Sequence, residues 1–374
     1  MGSRRRVVVT VSAFAEIVGQ DRAVGLLLRA IERPVHAYLF VGARGSGVED
    51  AVKAWAAERV APGDARVVDL ARRQSHPDVI VFESSSSEMS VAEARELIRE
   101  VHASPIETDH KVVIVLGADR MSEVTANVLL KTLEEPPARS TIVLVAERPD
   151  RLLPTVRSRC QRIDFSYLSN DAVRKSLLTL NDERASTEQI EQAVNLAGGR
   201  LDRARALIGP LAPVREAFID AVVSLDGTGA SAAVAADELD EVVSRAVAAL
   251  EETQELEVAQ LEREGQEAGY PERVVSSRRK TLVERHKREH RRSRTEIWLE
   301  GYTAIETWYR DVLVGSSALA LVVDRKRSTV SLRSAAEAID QCRRARQALT
   351  RHNASEILNL LRLLVRLGSL SAKG

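Results

Sequence analysis

Four short apolar runs punctuate the first half of the chain: Ala37-Tyr38-Leu39-Phe40-Val41, Val79-Ile80-Val81-Phe82, Val112-Val113-Ile114-Val115-Leu116 and Thr141 to Ala146. Each is rich in β-branched or aromatic residues and too short for a buried helix, so each reads as a sheet strand. Helical patterns alternate with them. Asp21 to Ile31 places Val24, Leu27, Leu28 and Ile31 on one face, and Val91 to Ala103 does the same with Ala94, Leu97, Ile98 and Val101. A helix is expected from about Asp50 to Arg59. Another, running through Asn127 and Leu133, must stop at Pro136-Pro137, because proline lacks the amide a helix needs and restrains the residue before it.

Residues 60 to 90 carry less pattern. Pro62-Gly63-Asp64 and His76-Pro77-Asp78 read as turns and Ser84 to Ser87 as a flexible loop. His76 has no second metal-binding side chain at ligand spacing and is expected to be a surface or turn histidine. From Tyr167 to Pro210 the pattern is a small helical unit, with starts at Leu168-Ser169-Asn170-Asp171 and Gln189, a break at Gly198-Gly199, and a third helix from Asp202 to Ile208.

The remainder reads as helix. Asp237 to Gly265 is acidic, with Val242, Ala246, Ala249 and Leu256 as a thin apolar stripe, and Gly269-Tyr270-Pro271 marks a turn. Arg278 to Arg294 then holds nine Lys or Arg against Glu284 and Glu289, with His286 and His290 between them. Acidic followed by basic predicts an antiparallel helix pair whose faces attract. Two readings of the basic run stay open: a solvated helix face, or a phosphate-backbone contact through Arg278, Arg279, Lys280, Lys287 and Arg288. It lacks interleaved aromatics, so base stacking is not expected. Ile297 to Val314 gathers Trp298, Tyr302, Ile305, Tyr309 and Leu313 on one face. The last helix carries Asn353 and Glu356 in capping-box spacing, then Ile357, Leu358, Leu360, Leu361, Leu364 and Val365.

Composition narrows the class. At 374 residues the chain has room for two or three domains, and Lys+Arg and Asp+Glu both number 54, so no global field draws it to nucleic acid or membrane. Two cysteines, Cys160 and Cys342, exclude a disulfide framework and a four-cysteine zinc site and fit a reducing cytosol. No apolar run reaches the roughly 20 residues of a membrane span. Residues 1–11, with Arg4-Arg5-Arg6 and a short valine run, are expected to form a disordered leader.

The candidate chemistry begins after the first strand. Gly42-Ala43-Arg44-Gly45-Ser46-Gly47-Val48-Glu49 links a strand to a helix, the setting of a phosphate-binding loop. Gly42 and Gly47 keep the spacing of that motif, but Val48 replaces its lysine and Glu49 its metal-binding hydroxyl residue. A carboxylate about 4 Å from a phosphate charge costs on the order of 4 kcal/mol at an effective dielectric near 20. The strand ending at Leu116 shows a matching loss. Where a working ATPase ends this strand on two acids, one for magnesium and one to polarise water, Leu116 and Gly117 stand here, and Asp119 is offset. Both changes point to an ATPase-derived fold that does not hydrolyse ATP.

Several stretches together, Ala37-Tyr38-Leu39-Phe40, Ala126-Asn127 with Leu129-Leu130-Lys131, Leu133-Glu134-Glu135-Pro136-Pro137, and Leu153-Pro154-Thr155 with Ser158-Arg159-Cys160, resemble the bacterial clamp-loader subunits of the AAA+ class. The resemblance is strong over about residues 12 to 210. It implies an α/β domain of P-loop, RecA-like type with a parallel sheet at residues 12–167, a three-helix lid at 168–212 and an all-α collar domain at 213–374. It further implies a component of the DNA polymerase III holoenzyme that does not turn over ATP itself. Its partners would be the motor (tau/gamma) and delta subunits, the sliding clamp and, through the complex, primer–template DNA, in the cytoplasm. ATP and magnesium would sit in the neighbouring motor subunit, with no cofactor on this one.

In that family the arginine of Ser158-Arg159-Cys160 points across an interface at a neighbour's ATP, which a permanently charged, planar guanidinium suits. From composition alone, Arg159 reads as a surface arginine capping a strand end, and it is the surrounding motif that reverses this reading. Cys160 is expected to pack rather than react. Two departures stand out: the four-cysteine zinc module that many relatives carry after the first helix is absent, so residues 58 to 78 must hold without metal, and Ala146-Glu147 replaces the small polar sensor residue. Arg203 and Arg205 lie near a lid-arginine position without matching it. The C-terminal apolar faces are expected to be subunit contacts, with an intrachain core as the alternative. Two other functions compete: an active DNA-dependent ATPase with an unusual loop, and a helical nucleic-acid-binding scaffold.

Overall fold

The computed structural model describes residues 13–15, 17–84, 88–180, 185–267, 269, 272–314, 330–351 and 355–371. The leader 1–11, Tyr270-Pro271 and Asn353 fall outside the described residues, as does the side chain of Arg288. The chain divides into two compact units, residues 1–184 with 197–204, and residues 185–196 with 205–374.

In the first unit the apolar runs form strands at Ala37–Val41 (β1), Val79–Glu83 (β2), Lys111–Leu116 (β3) and Ser140–Ala146 (β4), joined by a fifth at Gln161–Asp164 (β5). They make one parallel sheet in the order β2-β3-β4-β1-β5. Helices at Asp21–Glu32 (α1), Val48–Val60 (α2) and Ala65–Arg72 (α3) accompany Val91–His102 (α4), Glu123–Glu134 (α5) and the single turn Pro154–Arg157 (α6). Because successive side chains of a strand face opposite ways, β1 to β4 each feed two cores. Tyr38, Phe40, Ile114 and Val143 pack with Leu27, Trp55 and Val67, whereas Leu39, Val113, Val115 and Leu144 pack with Leu97, Leu129 and Leu133. Tyr38 and Trp55 meet edge to face with ring centres 4.7 Å apart.

The parallel arrangement decides where function sits. Val41, Ala146 and Leu116 end neighbouring strands at the same edge, so the segments after them, from Gly42, Glu147 and Gly117, converge there.

Residues 60 to 90 hold more order than their pattern implied. The helix α3 starts on Asp64, whose carboxylate accepts from the amides of Arg66 and Val67 at 2.9 and 3.3 Å. Glu58 is buried and accepts from the Gly63 amide at 3.1 Å. Of the surface or turn histidine expected, the turn holds and the surface placement is corrected: His76 is buried, and its Nδ1 accepts from the Asp78 amide at 3.1 Å. The turn it closes is tucked against a neighbouring loop by Asp78, which is fully buried and accepts from the amides of Ile106, Glu107 and Thr108 at 2.6 to 2.8 Å. Carboxylate-to-amide hydrogen bonds thus hold this region together.

The three helices expected after Tyr167 form at Asn170–Leu180 (α7), Thr187–Ala197 (α8) and Leu201–Ile208 (α9), and the boundary between the two units runs through them. The second unit adds Leu211–Ser224 (α10), Gly229–Glu267 (α11), Glu272–Val314 (α12), Leu332–Arg351 (α13) and Glu356–Ser371 (α14). Its core corrects two expectations. Trp298, Tyr302, Ile305 and Tyr309 are buried among Val214, Phe218, Ala338 and Cys342 of the same unit, so this face is intrachain core rather than subunit contact. Of the last helix, Leu360 and Leu364 turn inward while Leu358 stays 66% exposed. The inward stripe of α11 is Leu239, Val243 and Val247, one position off the Val242 and Ala246 stripe expected, and Leu256 is 63% exposed. Packing against α10 and α12 fixed a phase that alternating alanine and valine left ambiguous.

The predicted antiparallel acidic–basic pairing forms. Arg279 meets Glu262 at 2.7 Å, Arg285 and His286 meet Glu257 at 2.7 and 2.9 Å, and His290 meets Glu251 at 2.7 Å. The solvent-open pairs Arg279–Glu262 and His290–Glu251 contribute about 0–1 kcal/mol each and set register more than stability, whereas Arg285 and His286 are largely buried.

Candidate functional site

The glycine loop leaves β1 at Val41 and is pinned at both ends. The Gly42 amide donates to the Ala146 carbonyl at 3.1 Å and the Ser46 amide to the Ala43 carbonyl at 3.1 Å. Gly45 and Gly47 adopt φ of +75° and +88°, the left-handed region that a side chain disfavours. Gln20, just before α1, clamps the loop from outside: its Nε2 donates to the carbonyls of Ser46 and Ser166 at 2.8 and 2.7 Å, and its Oε1 accepts from the Ser166 amide at 3.2 Å. A glutamine ahead of a helix has no distinctive pattern, and its role was not legible in the sequence.

The side chains around this loop carry unusual signs. Val48, in the lysine position, is buried in the core with Ala51 and Val52. Glu49 is half-buried, and loss of water raises its carboxyl above the usual range, Glu83 and Asp50 adding to this while Arg44 and Lys53 oppose it. The carboxylate of Glu147 accepts from the Arg44 amide at 3.0 Å, so one loop amide of the kind that faces a phosphate already has an anionic partner. A second carboxylate lies against Gly45: a Cβ there would meet Asp202 Oδ1 at 1.8 Å. The adjacent Leu201 amide donates to the Gly45 carbonyl at 3.0 Å, and Arg200 bonds Asp202 Oδ2 at 2.9 Å.

The end of β3 is reversed in the opposite sense. Gly117 has φ of +66°, and a Cβ on it would meet the Arg120 guanidinium at 2.3 Å. Arg120 in turn donates to Glu83 at 3.3 Å. A cation therefore stands where an ATPase of this plan would carry its second acid. Asp119 lies in the short turn Ala118–Arg120, and its carboxylate accepts from the Arg148 amide at 3.3 Å, so it is engaged by the segment after β4. Leu116 ends its strand buried.

Ser158-Arg159-Cys160 sits at the other edge of the sheet. In the parallel β1–β5 ladder Tyr38 pairs with Gln161, which puts Cys160 level with the start of β1, whereas the glycine loop leaves from its end. Five residues at about 3.3 Å each separate the two edges by roughly 16 Å. The segment is a tight turn continuing α6: the Ser158 amide donates to the Pro154 carbonyl at 3.0 Å and the Arg159 amide to the Val156 carbonyl at 3.2 Å. Ser158 Oγ donates to the Thr155 carbonyl at 3.1 Å. The Arg159 side chain, 35% exposed, donates from Nη1 to the Thr155 carbonyl at 2.9 Å and meets Glu134 Oε1 with Nη2 at 2.5 Å. Both partners lie outside β5, so Arg159 does not cap a strand end.

Burial pushes the Cys160 thiol up to about 12, and burial also pushes Cys342 up to about 12, with Glu306 adding to it. Both thiols stay protonated near neutral pH, and the thiolate is the nucleophile. Native chain is expected to react at neither cysteine with a disulfide reagent at pH 8, and with both once denatured. Rapid native reaction at Cys160 would show that it is more than packing.

Of the candidate DNA contacts, Arg279 is paired with Glu262 and Lys287 with Glu284 at 2.9 Å, and Arg278 has interactions within the chain. Lys280 is exposed on α12. Among the described residues no three His, Cys, Asp or Glu side chains gather in a metal-binding group, and no helix is long and apolar enough to cross a membrane.

A parallel sheet with a glycine loop at its C-terminal edge, and the start of α9 hydrogen-bonded to that loop, has the plan of a P-loop domain. Residues 19–169 match the family described as DNA polymerase III, delta subunit. The chain is 34% identical to DNA polymerase III subunit delta' of Bacillus subtilis over 168 residues, 42% of this chain and 51% of that one. It is 32% identical to subunit delta' of Pseudomonas aeruginosa over 208 residues, 52% of this chain and 62% of that one. To subunit tau of Bacillus subtilis it is 31% identical over 228 residues, 55% and 40% of the two chains. The matches thus span between two fifths and about three fifths of these relatives. Over its N-terminal half this chain is thus similar to delta'-type clamp-loader subunits of DNA polymerase III.

Proposed function

We propose that this chain is a non-hydrolysing subunit of a bacterial clamp loader. It helps load the sliding clamp on primed DNA by supplying Arg159 to the ATP of a neighbouring motor subunit. One observation carries the reading: Arg159 and the glycine loop of the same chain lie at opposite edges of the sheet. The arginine cannot serve its own loop, and its charge is useful only to a nucleotide presented from outside.

The loop itself supports the same division of labour. Bound magnesium nucleotide would set phosphate oxygens beside the carboxylates of Glu147 and Asp202, and magnesium beside the Arg120 guanidinium, so the residues present do not fit it. ATP and magnesium then belong to the neighbouring tau- or gamma-type subunit. A delta-type subunit, the clamp and primer–template DNA complete the assembly, in the cytoplasm.

The isolated chain is expected to show no saturable binding of a fluorescent ATP analogue up to millimolar concentration, with or without magnesium, and no turnover. Magnesium-dependent hydrolysis abolished by replacing Glu49 or Asp119 would overturn the proposal in favour of an active ATPase.

A further inference from the structure

Glu134 is the last residue of α5 and is followed by Glu135 and Pro136. A carboxylate there stands at the negative end of the helix dipole, where cations are favoured, so some other contact must account for its placement. In the chain that contact is Arg159 Nη2 at 2.5 Å. Both groups are partly open to water, Glu134 being 48% exposed and Arg159 35%. The pair is therefore one that a more highly charged anion can displace.

We propose that Glu134 is the resting partner of Arg159, a positioning residue that occupies the guanidinium until a neighbour's nucleotide displaces it. The inference rests on the reading that Arg159 acts across an interface. The geometry assigns two roles to the two contacts. The Thr155 carbonyl, on Nη1, belongs to the same turn as Arg159 and keeps the side chain aimed whatever its other partner is. Glu134, on Nη2, competes for the face of the fork that would meet phosphate oxygens. The carboxylate lowers the fraction of time the guanidinium is available, so hydrolysis in a freshly assembled complex waits on breaking the pair.

The test uses the full chain reconstituted with its motor and delta-type subunits and compares single-turnover ATP hydrolysis, without clamp or DNA, for wild type, Glu134→Gln, Arg159→Ala and the double variant. Glutamine keeps the size of the side chain and removes the charge. The expected result is a rise of about two- to fivefold for Glu134→Gln, the Boltzmann factor of an exposed ion pair. The rise is absent from the double variant, which behaves as Arg159→Ala alone, and the thermal midpoint stays nearly unchanged because losing the exposed ion pair is offset by removing an unfavourable charge from the helix end. A helix-capping role for Glu134 would move the midpoint and leave the rate alone. If Arg159→Ala is slow while Glu134→Gln is unchanged or slower, the inference is overturned and the finger reading stands. If Arg159→Ala hydrolyses as fast as wild type, the finger reading falls and this inference with it.

Discussion

Replacing Arg159 by alanine in the assembled complex should lower ATP hydrolysis at the facing motor site by about 10³-fold or more while leaving assembly intact. Fingers supplied in trans are worth about 10³ to 10⁵ in rate because the guanidinium meets charge that develops on the transferring phosphoryl group inside a water-poor interface. The side chain is not part of any core: it rests on one carbonyl and one exposed carboxylate, so its loss should cost the fold little. Arg159→Lys should recover only a small part of the rate, since a single ammonium cannot span two phosphate oxygens as the fork does. Size-exclusion of the mixed subunits separates lost assembly from lost chemistry. Phosphate release under saturating ATP, DNA and clamp reads the rate.

The largest effect on stability should follow Asp78→Ala. Its carboxylate is wholly buried and collects three backbone amides and the Thr108 hydroxyl, tying the end of the α3 region to the loop before β3. Hydrogen bonds to a charged group contribute about 1.5–3 kcal/mol each, and donors left without a partner add a penalty. Partial rehydration of the loop leaves an expected loss of about 3 kcal/mol or more, a large share of the 5–15 kcal/mol typical of a domain. Asp78→Asn keeps one acceptor oxygen and should lose less. Urea unfolding followed by circular dichroism gives the loss, and hydrogen exchange should show it first in residues 76–110. A midpoint unchanged in Asp78→Ala would mean the loop holds by other means.

The pattern of apolar runs made four of the five strands legible, because a strand buried on both faces is a short continuous run and little else in the chain looks like one. The fifth, Gln161–Asp164, was not, since three of its four residues are exposed polar side chains and only Ile163 is buried. The glycine loop, the missing lysine and the missing acids were readable from spacing. What replaced them was not. Glu147, Asp202 and Arg120 reach the loop and β3 from later in the chain or from the next turn, and only the folded sheet brings them there. His76 read as a surface or turn residue because nothing local shows that Asp78 beside it grips a loop about 30 positions downstream. The aromatic face of Trp298 and Tyr302 illustrates the limit in the helical unit. Periodicity says that a face is buried, but whether its own chain or a neighbour covers it is a matter of tertiary packing. Here its own chain does.

The central claim is that Arg159 faces a nucleotide held by another subunit while the chain's own loop holds none. Photolabelling the reconstituted complex with ATP that carries a photoreactive group on its γ-phosphate, then mapping labelled peptides, tests both halves at once. The account predicts label in this chain only on the peptide containing Ser158-Arg159-Cys160, with none on residues 42–49. Label on residues 42–49, or none near Arg159 when the motor subunit is labelled, would contradict it.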